Sequence, residues 1–237
     1  MISYIRRQEI MNYLNEKHFA TIKELAKVIY TSESSVRRDI KQLEQTGCVC
    51  QIYGGVVLSE YTNNVVPICI RDSSNSEVKN RLAKKAAEYV SDGDTIFMDG
   101  SSTVRRIIKH LNNFENLKII TNNCRIFKEN VNEKIKLYCT GGRFVSQSSI
   151  FTGAAAENYI RTVNADIFFF SSQAISPDGI ISDVSESETS LRKVMLSQAK
   201  KKIFLCDSSK IGAVKTFTLC SKDDTDAIIC DTPLPWE

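Results

Sequence analysis

The 237-residue chain has no run of about 18 uncharged apolar residues, which excludes an ordinary membrane-spanning helix. Its start, Met1-Ile2-Ser3-Tyr4-Ile5-Arg6-Arg7, lacks the continuous apolar stretch of a signal peptide, so a cytoplasmic protein with no membrane partner is expected. Histidine is scarce, with only His18 and His110 present. The close pair Cys48-x-Cys50 therefore has no partners at zinc-ligand spacing, and a serine-hydrolase triad has no evident base. No metal site and no cofactor are expected. The other cysteines (Cys69, Cys124, Cys139, Cys206, Cys220 and Cys230) are scattered through apolar segments, which suits small buried hydrophobes in a reducing compartment and not a disulfide framework. There is no internal repeat and no low-complexity tract. A net charge of +3 is too small to name a partner, because nucleic-acid binding depends on local clusters of cations.

What is present begins with short amphipathic segments. Ile10 and Leu14 share one helix face, and Ile22, Leu25, Ala26 and Ile29 mark a second short helix by their spacing. That helix opens on Thr21-Ile22-Lys23-Glu24, a capping box whose hydroxyl and carboxylate satisfy orphan backbone donors. After a break at Tyr30-Thr31, Ser32 caps a third helix with Val36, Ile40 and Leu43 on its apolar side, and Gly47 ends it. Two β-rich runs around Gly54-Gly55 then read as a small hairpin. Helices followed by a short hairpin predict a winged helix-turn-helix over residues 1–58. The polar stretch from Ser59 to Asn64, followed by Pro67, places a linker at 59–74.

On the third helix Ser34, Arg37, Arg38 and Lys41 fall at i, i+3, i+4 and i+7, a cationic stripe opposite the apolar face. An isolated stripe of this kind only solvates a surface helix. Here it sits between a capped short helix and a Gly-Gly hairpin, and that combination points to major-groove reading of double-stranded DNA, with arginine forks holding guanine edges or phosphates.

From about Asn75 onward the pattern changes. Strand-like runs (Thr95 to Met98, Lys118 to Thr121, Ile135 to Tyr138, Ile167 to Phe170, Ile203 to Cys206, Ala227 to Cys230) alternate with helical stretches such as Val78 to Val90, Val104 to Leu111 and Glu188 to Ala199. This predicts a largely parallel α/β domain over 75–237, with Phe168 to Phe170 a buried strand. Asp99-Gly100-Ser101-Ser102-Thr103 lies between a strand and a helical stretch, where free backbone N–H groups hold an anion. Serine and threonine also cap helices without any ligand. Thr121-Asn122-Asn123, Gly141-Gly142-Arg143 and Asp207-Ser208-Ser209-Lys210 follow other strands, and such loops share one crevice in an open α/β sheet. Lys210 would bring a point charge to a phosphate.

Arg7-Gln8-Glu9-Ile10, Glu24-Leu25-Ala26, Ser35-Val36-Arg37-Arg38-Asp39-Ile40-Lys41-Gln42-Leu43-Glu44 and Gly54-Gly55 together resemble the DeoR family of bacterial sugar-metabolism repressors. The resemblance extends over Arg71, Glu77, Asp92-Gly93-Asp94, Asp99, Thr103, Thr121-Asn122, Gly141-Gly142, Gly153, Asp166, Glu188, Met195 and Asp207-Ser208-Ser209-Lys210. It implies an α/β protein with an N-terminal winged helix-turn-helix and an effector domain similar to sugar-phosphate isomerases of the ribose-5-phosphate type. It also implies a repressor of carbohydrate-metabolism genes, a homodimer or higher homo-oligomer, and a phosphorylated sugar as effector. Candidate DNA-binding residues are Ser34, Ser35, Arg37, Arg38, Lys41, Tyr53 and Gly54, with Asp39 a structural partner. Candidate effector-binding residues are Asp99, Ser101, Ser102, Thr103, Asn122, Gly141, Gly142 and Lys210.

The chain departs from the family pattern in three places. Gln51 and Tyr53 stand in the hairpin where a basic residue and a histidine are usual, and Tyr53 either hydrogen-bonds phosphate or packs on its own domain. Ser101 replaces a glycine and narrows backbone approach to a ligand. Ser171-Ser172-Gln173-Ala174 lacks the family's glycines at Ser171 and Ala174. These leave two other functions in play: an isomerase using Asp99, Asp207, Glu188 and Lys210 as proton carriers, and a DNA-binding protein blind to metabolites. No catalytic residue is assigned, because no pair shows dedicated acid/base spacing.

Overall fold

A computed structural model describes residues 3–17, 19–52, 55–58, 68–129 and 131–236. The chain divides into two compact units, residues 1–74 and 75–237. His18, Tyr53, Gly54 and the 59–67 part of the expected linker lie outside the described residues.

The first unit runs α1 (Ser3–Lys17), β1 (Phe19–Ala20), α2 (Ile22–Val28), α3 (Glu33–Gln45), β2 (Val49–Ile52), β3 (Gly55–Leu58) and α4 (Ile68–Ser73). The capping box forms as read: Thr21 N–H donates to Glu24 Oε2 at 2.8 Å, and Glu24 N–H to Thr21 Oγ1 at 3.1 Å. These bonds hold the Glu24 carboxylate below its ordinary pKa. Ile10, Leu14, Leu25, Ile29, Val36, Ile40 and Leu43 meet in one buried cluster with Val49, Val56 and Leu58 of the sheet. The sheet has a third strand that the sequence pattern did not indicate: β1 pairs antiparallel with β3, giving the order β1-β3-β2. A two-residue strand is too short to show a period. Cys48 is disulfide-bonded, which departs from the expectation of reduced thiols throughout. Cys124, Cys139, Cys206, Cys220 and Cys230 are free thiols.

The second unit contains α5 (Ser76–Ala87), β4 (Thr95–Met98), β5 (Lys118–Thr121), β6 (Lys136–Cys139), β7 (Arg143–Val145), β8 (Ile150–Thr152), α6 (Ala154–Arg161), β9 (Ala165–Phe170), β10 (Ala174–Ile175), β11 (Ile180–Asp183), α7 (Glu186–Ser197), β12 (Ala199–Cys206), β13 (Phe217–Ser221) and β14 (Ala227–Cys230). Six strands form one parallel sheet in the order β14-β12-β9-β4-β5-β6. Its central strands β4 and β9 are buried along nearly their whole length, as parallel strands covered on both faces must be, while edge strand β6 is largely exposed. Phe168 and Phe170 point into one core with Phe97, Phe204, Leu191 and Met195, and Phe169 points into the other with Met98, Leu82, Ile107 and Leu205. Val104–His110, read from sequence as helical, is a 3₁₀ helix. The sequence reading did not assign the β7–β8 hairpin, α6, or the small sheet β10-β11-β13.

The chain moves outward from β4 through β5 to β6, then crosses back to place β9 on the other side of β4. The carboxyl ends of β4 and β9 therefore flank the topological switch point, where open α/β sheets leave a crevice for ligands.

Close packing in the first unit makes one position testable. A Cβ added to Gly55 would lie 2.5 Å from two ring atoms of Phe19 and 2.6 Å from the Ala20 carbonyl oxygen. The carbonyl belongs to the paired strand β1 and cannot move without breaking the sheet. Gly55→Ala is therefore expected to destabilise this unit by about 1–3 kcal/mol, read from the urea midpoint of the full chain.

Candidate functional site

Helix α3 starts after its cap Ser32, whose hydroxyl accepts from Ser35 N–H at 3.3 Å. Ser34 and Ser35 hydroxyls lie 3.0 Å from the same Ser32 oxygen, so the helix start is a cluster of three hydroxyls. Val36, Ile40 and Leu43 are buried, while Ser34, Arg37, Arg38 and Lys41 are exposed, and Ser35 is half-buried between them. Arg37 is bridged to Glu33 at 3.0 Å on the helix surface. An exposed i,i+4 pair of this kind is weak and is readily exchanged for a phosphate.

The flank of α3 is anchored by α1. Asp39 is 1% exposed, receives the Arg6 guanidinium, and accepts from Ser3 Oγ at 3.2 Å. This bonding raises the Arg6 pKa, with the Asp39 hydrogen bond as the largest cause. Arg7 reaches Gln42 on the next turn. Thus Asp39 of the Arg-Arg-Asp run orients the helix, and its two neighbouring arginines stay outside. Gln51, one of the two hairpin departures, is tied to the end of α3: Glu44 accepts from its backbone N–H at 3.2 Å and from its side-chain amide at 2.9 Å.

In the second unit, the loops after β4, β5, β6, β9 and β12 all emerge at the carboxyl edge of the sheet. Asp99, at the end of β4, is 1% exposed. Its Oδ1 accepts from Ser101 N–H at 3.0 Å, and its Oδ2 accepts from Ser171 N–H at 3.1 Å and from Arg192 Nε at 2.8 Å. Arg192 donates further to Asp183 Oδ2 and Glu188 Oε2, both at 3.0 Å. Burial alone would lower the Arg192 pKa, but the three carboxylates outweigh it and raise it. Glu188 Oε1 also accepts from Ser148 at 2.9 Å, which secures the β7–β8 hairpin to α7.

Each effector-binding candidate has a definite place around this network. Ser101 Oγ accepts from Val104 N–H at 3.1 Å, so this hydroxyl caps the 3₁₀ helix. Ser102 is buried. Thr103 is 0% and Asn122 3% exposed, and Thr103 Oγ1 and Asn122 Oδ1 have no hydrogen-bond partner. Asn122 Nδ2 donates to the Phe151 carbonyl at 3.0 Å, which fixes the amide's orientation. Gly142 has φ +107°, and a Cβ there would lie 2.6 Å from the Thr152 carbonyl oxygen and 3.3 Å from the Ala156 nitrogen, so only glycine brings this loop against the start of α6. Gly141 also has a positive φ of 65°. Lys210 Nζ donates to Ser171 Oγ at 2.7 Å and lies 3.8 Å from Asp207 Oδ2.

Several residues here escaped sequence reasoning. Arg192 carried no signal except its i,i+4 spacing from Glu188, and Asp183 and Ser148 carried none. Lys79 of α5 is 4% exposed and acts on Asp207. Burial would raise the Asp207 pKa, but the charges of Lys210 and Lys79, with hydrogen bonds from Ser209 and Asn75, bring it below the usual value. Asp207 is therefore ionised at neutral pH. Among the described residues no cluster of His, Cys, Asp and Glu is arranged to hold a metal ion, and no helix is long and apolar enough to cross a membrane.

Residues 6–62 match the DeoR-like helix-turn-helix domain, and residues 74–232 match the DeoR C-terminal sensor domain. The chain belongs to the DeoR family. This DeoR protein is 28% identical to the HTH-type transcriptional regulator GolR of Listeria innocua, over 99% of this chain and 92% of that one. It is 28% identical to the lactose phosphotransferase system repressor of Staphylococcus epidermidis, over 98% and 93%. It is 26% identical to the transcriptional repressor GlcR of Bacillus subtilis, over 94% and 86%. Among solved structures, ribose 5-phosphate isomerase from Plasmodium falciparum matches 57% of this chain with a TM-score of 0.41 and 16% identity. The match spans about half of that isomerase, 52% of its length, and no residue role follows from it.

The Arg192 network predicts a large mutational effect. Arg192→Met would leave Asp99, Asp183 and Glu188 as buried carboxylates without their shared cation. A loss of about 3–5 kcal/mol in urea unfolding at pH 7 is expected for the 237-residue chain.

Proposed function

We propose that this DeoR protein is a cytoplasmic transcriptional repressor of carbohydrate-metabolism genes, bound to double-stranded operator DNA through α3 and modulated by a phosphorylated sugar held at the switch point of the second unit. The observation that carries the sensing half is the pair of orphaned polar atoms, Thr103 Oγ1 and Asn122 Oδ1, in the loops that follow adjacent strands β4 and β5. A buried polar atom without a partner costs about 1–3 kcal/mol, and a ligand that supplies the partner recovers that cost. Asn122 Oδ1 is an acceptor, so it calls for a hydroxyl donor, while Lys210 calls for an anion. A sugar phosphate carries both groups. The repressor names of the Staphylococcus and Bacillus relatives support the same reading.

Catalysis is not needed to account for the site. Both oxygens of Asp99 are already engaged, one by Ser101 and the other by Ser171 and Arg192, which suits a structural carboxylate better than a proton carrier. For DNA, the exposed stripe of Ser34, Arg37, Arg38 and Lys41 supplies one recognition helix. A homodimer would place two such helices on a palindromic site at fixed spacing. Tyr53 and Gly54 are the proposed phosphate contacts of the wing.

Two experiments test the reading. Arg38→Ala is expected to weaken operator binding by about 1–3 kcal/mol and to relax sequence preference, measured by fluorescence anisotropy at fixed salt. Unchanged affinity would take Arg38 off the reading surface. In a thermal-shift panel of sugar phosphates and free sugars, one phosphosugar should raise the melting temperature without being converted. Lys210→Ala should abolish that shift while leaving operator affinity intact. Conversion of the ligand would make the protein an isomerase, and no shift across the panel would make it a DNA-binding protein blind to metabolites.

A further inference from the structure

Ser171 follows β9 directly at the switch point and is 0% exposed. Its hydroxyl has two partners of opposite kind. Oγ donates its single hydrogen to the Leu205 carbonyl at 2.7 Å, and it accepts from Lys210 Nζ at the same distance. Because the hydrogen is fixed on a strand carbonyl, the lone pairs of Oγ are fixed too, and they face the ammonium. The backbone of Ser171 is locked by its N–H bond to Asp99, which the Arg192 network holds in turn. A lysine on a flexible stem thus ends on a rigid support.

The ammonium has three donors, and Ser171 engages one of them. Asp207 Oδ2, at 3.8 Å, attracts the charge without taking a normal hydrogen bond. The remaining donors are available to a ligand anion, at a position that Ser171 sets. A lysine side chain that is ordered only on binding loses rotamer freedom at that moment, whereas one already tethered has largely lost it beforehand.

We propose that Ser171 is a positioning residue for effector recognition: its hydroxyl pre-orients the Lys210 ammonium for the phosphate group of the ligand. This rests on the assignment of Lys210 to the effector site made above. Ser171 itself does not touch the ligand, so its effect on affinity passes entirely through Lys210.

The test is a double-mutant cycle on the full chain, with inorganic phosphate as the probe and the phosphate dependence of the melting temperature as the readout. Ser171→Ala in the native background should weaken apparent phosphate affinity by about three- to tenfold, the scale of ordering one long side chain on binding. In a Lys210→Met background the same change should have no further effect. Loss of the bond to Leu205 lowers the melting temperature in both backgrounds without phosphate, so stability alone is not the readout. Ser171→Thr, which keeps the hydroxyl, should retain most of the native affinity. An equal Ser171→Ala effect in both backgrounds, or unchanged or tighter binding in the native one, overturns the positioning role while leaving Lys210 in the site. If Lys210→Met does not weaken phosphate binding, or the native chain binds none, the assignment of Lys210 fails and the positioning role fails with it.

Discussion

The ion cluster around Arg192 is the constraint on which the second unit depends. One guanidinium uses its Nε and both Nη atoms on three carboxylates from three elements: Asp99 after β4, Asp183 at the end of β11, and Glu188 in α7. Burying these charges is expensive, and the expense is met only because nearly every lone pair has a donor. Ser101 and Ser171 backbone N–H groups complete Asp99, Val184 and Ser185 N–H groups serve Asp183, and Ser148 completes Glu188. The consequence is geometric. Five separate stretches of chain are fixed to one another at the carboxyl edge of the sheet, and the loops at that edge inherit the rigidity.

The first unit is organised by the same device on a smaller scale. Asp39 sits within the cationic run of α3 yet turns inward to Arg6, and this fixes the rotation of α3 about its own axis. A rotation of one residue, about 100°, would carry Arg38 toward the core and Asp39 to the surface. The buried acid therefore determines which residues of α3 face outward, Arg37 and Arg38 among them.

Legibility of the sequence followed the range of the interactions. Capped helices, the cationic stripe and the buried strands were readable because their signals lie within one or two turns of chain: Thr21 with Glu24, Ser32 with Ser35, and three consecutive phenylalanines at 168–170 covered on both faces. The Arg192 cluster was not readable, since Arg192 and Asp99 are 93 positions apart and the i,i+4 spacing of Arg192 from Glu188 says nothing of Asp99 or Asp183. The β7–β8 hairpin was missed because its strands are three residues each and its support comes from elsewhere, through Phe151 N–H to the Asn122 carbonyl and Cys124 N–H to the Ser149 carbonyl. The loops that carry the candidate effector residues were found from sequence, but their division of labour was not. Ser101 spends its hydroxyl on a cap, Asp99 on the ion cluster, and Thr103 and Asn122 retain free atoms.

That division of labour bears on why this sheet edge suits recognition better than proton transfer. An acid or base that shuttles a proton needs a free oxygen within hydrogen-bond reach of the substrate and a pKa near the working pH. The carboxylates of the Arg192 cluster are buried, paired and anchored to backbone donors, and Asp207 lies below its usual pKa between two lysines. The atoms still open include a threonine hydroxyl oxygen and an amide oxygen, which form hydrogen bonds without exchanging protons at neutral pH. Under the proposed sensing role, ligand contacts at this edge would favour one loop arrangement, and such a shift is what a sensor has to transmit. The serines at 101 and 171 fit the same logic. Each adds a hydroxyl that is satisfied within the protein, Ser101 by Val104 N–H and Ser171 by the Leu205 carbonyl, so each stiffens the loop that carries it.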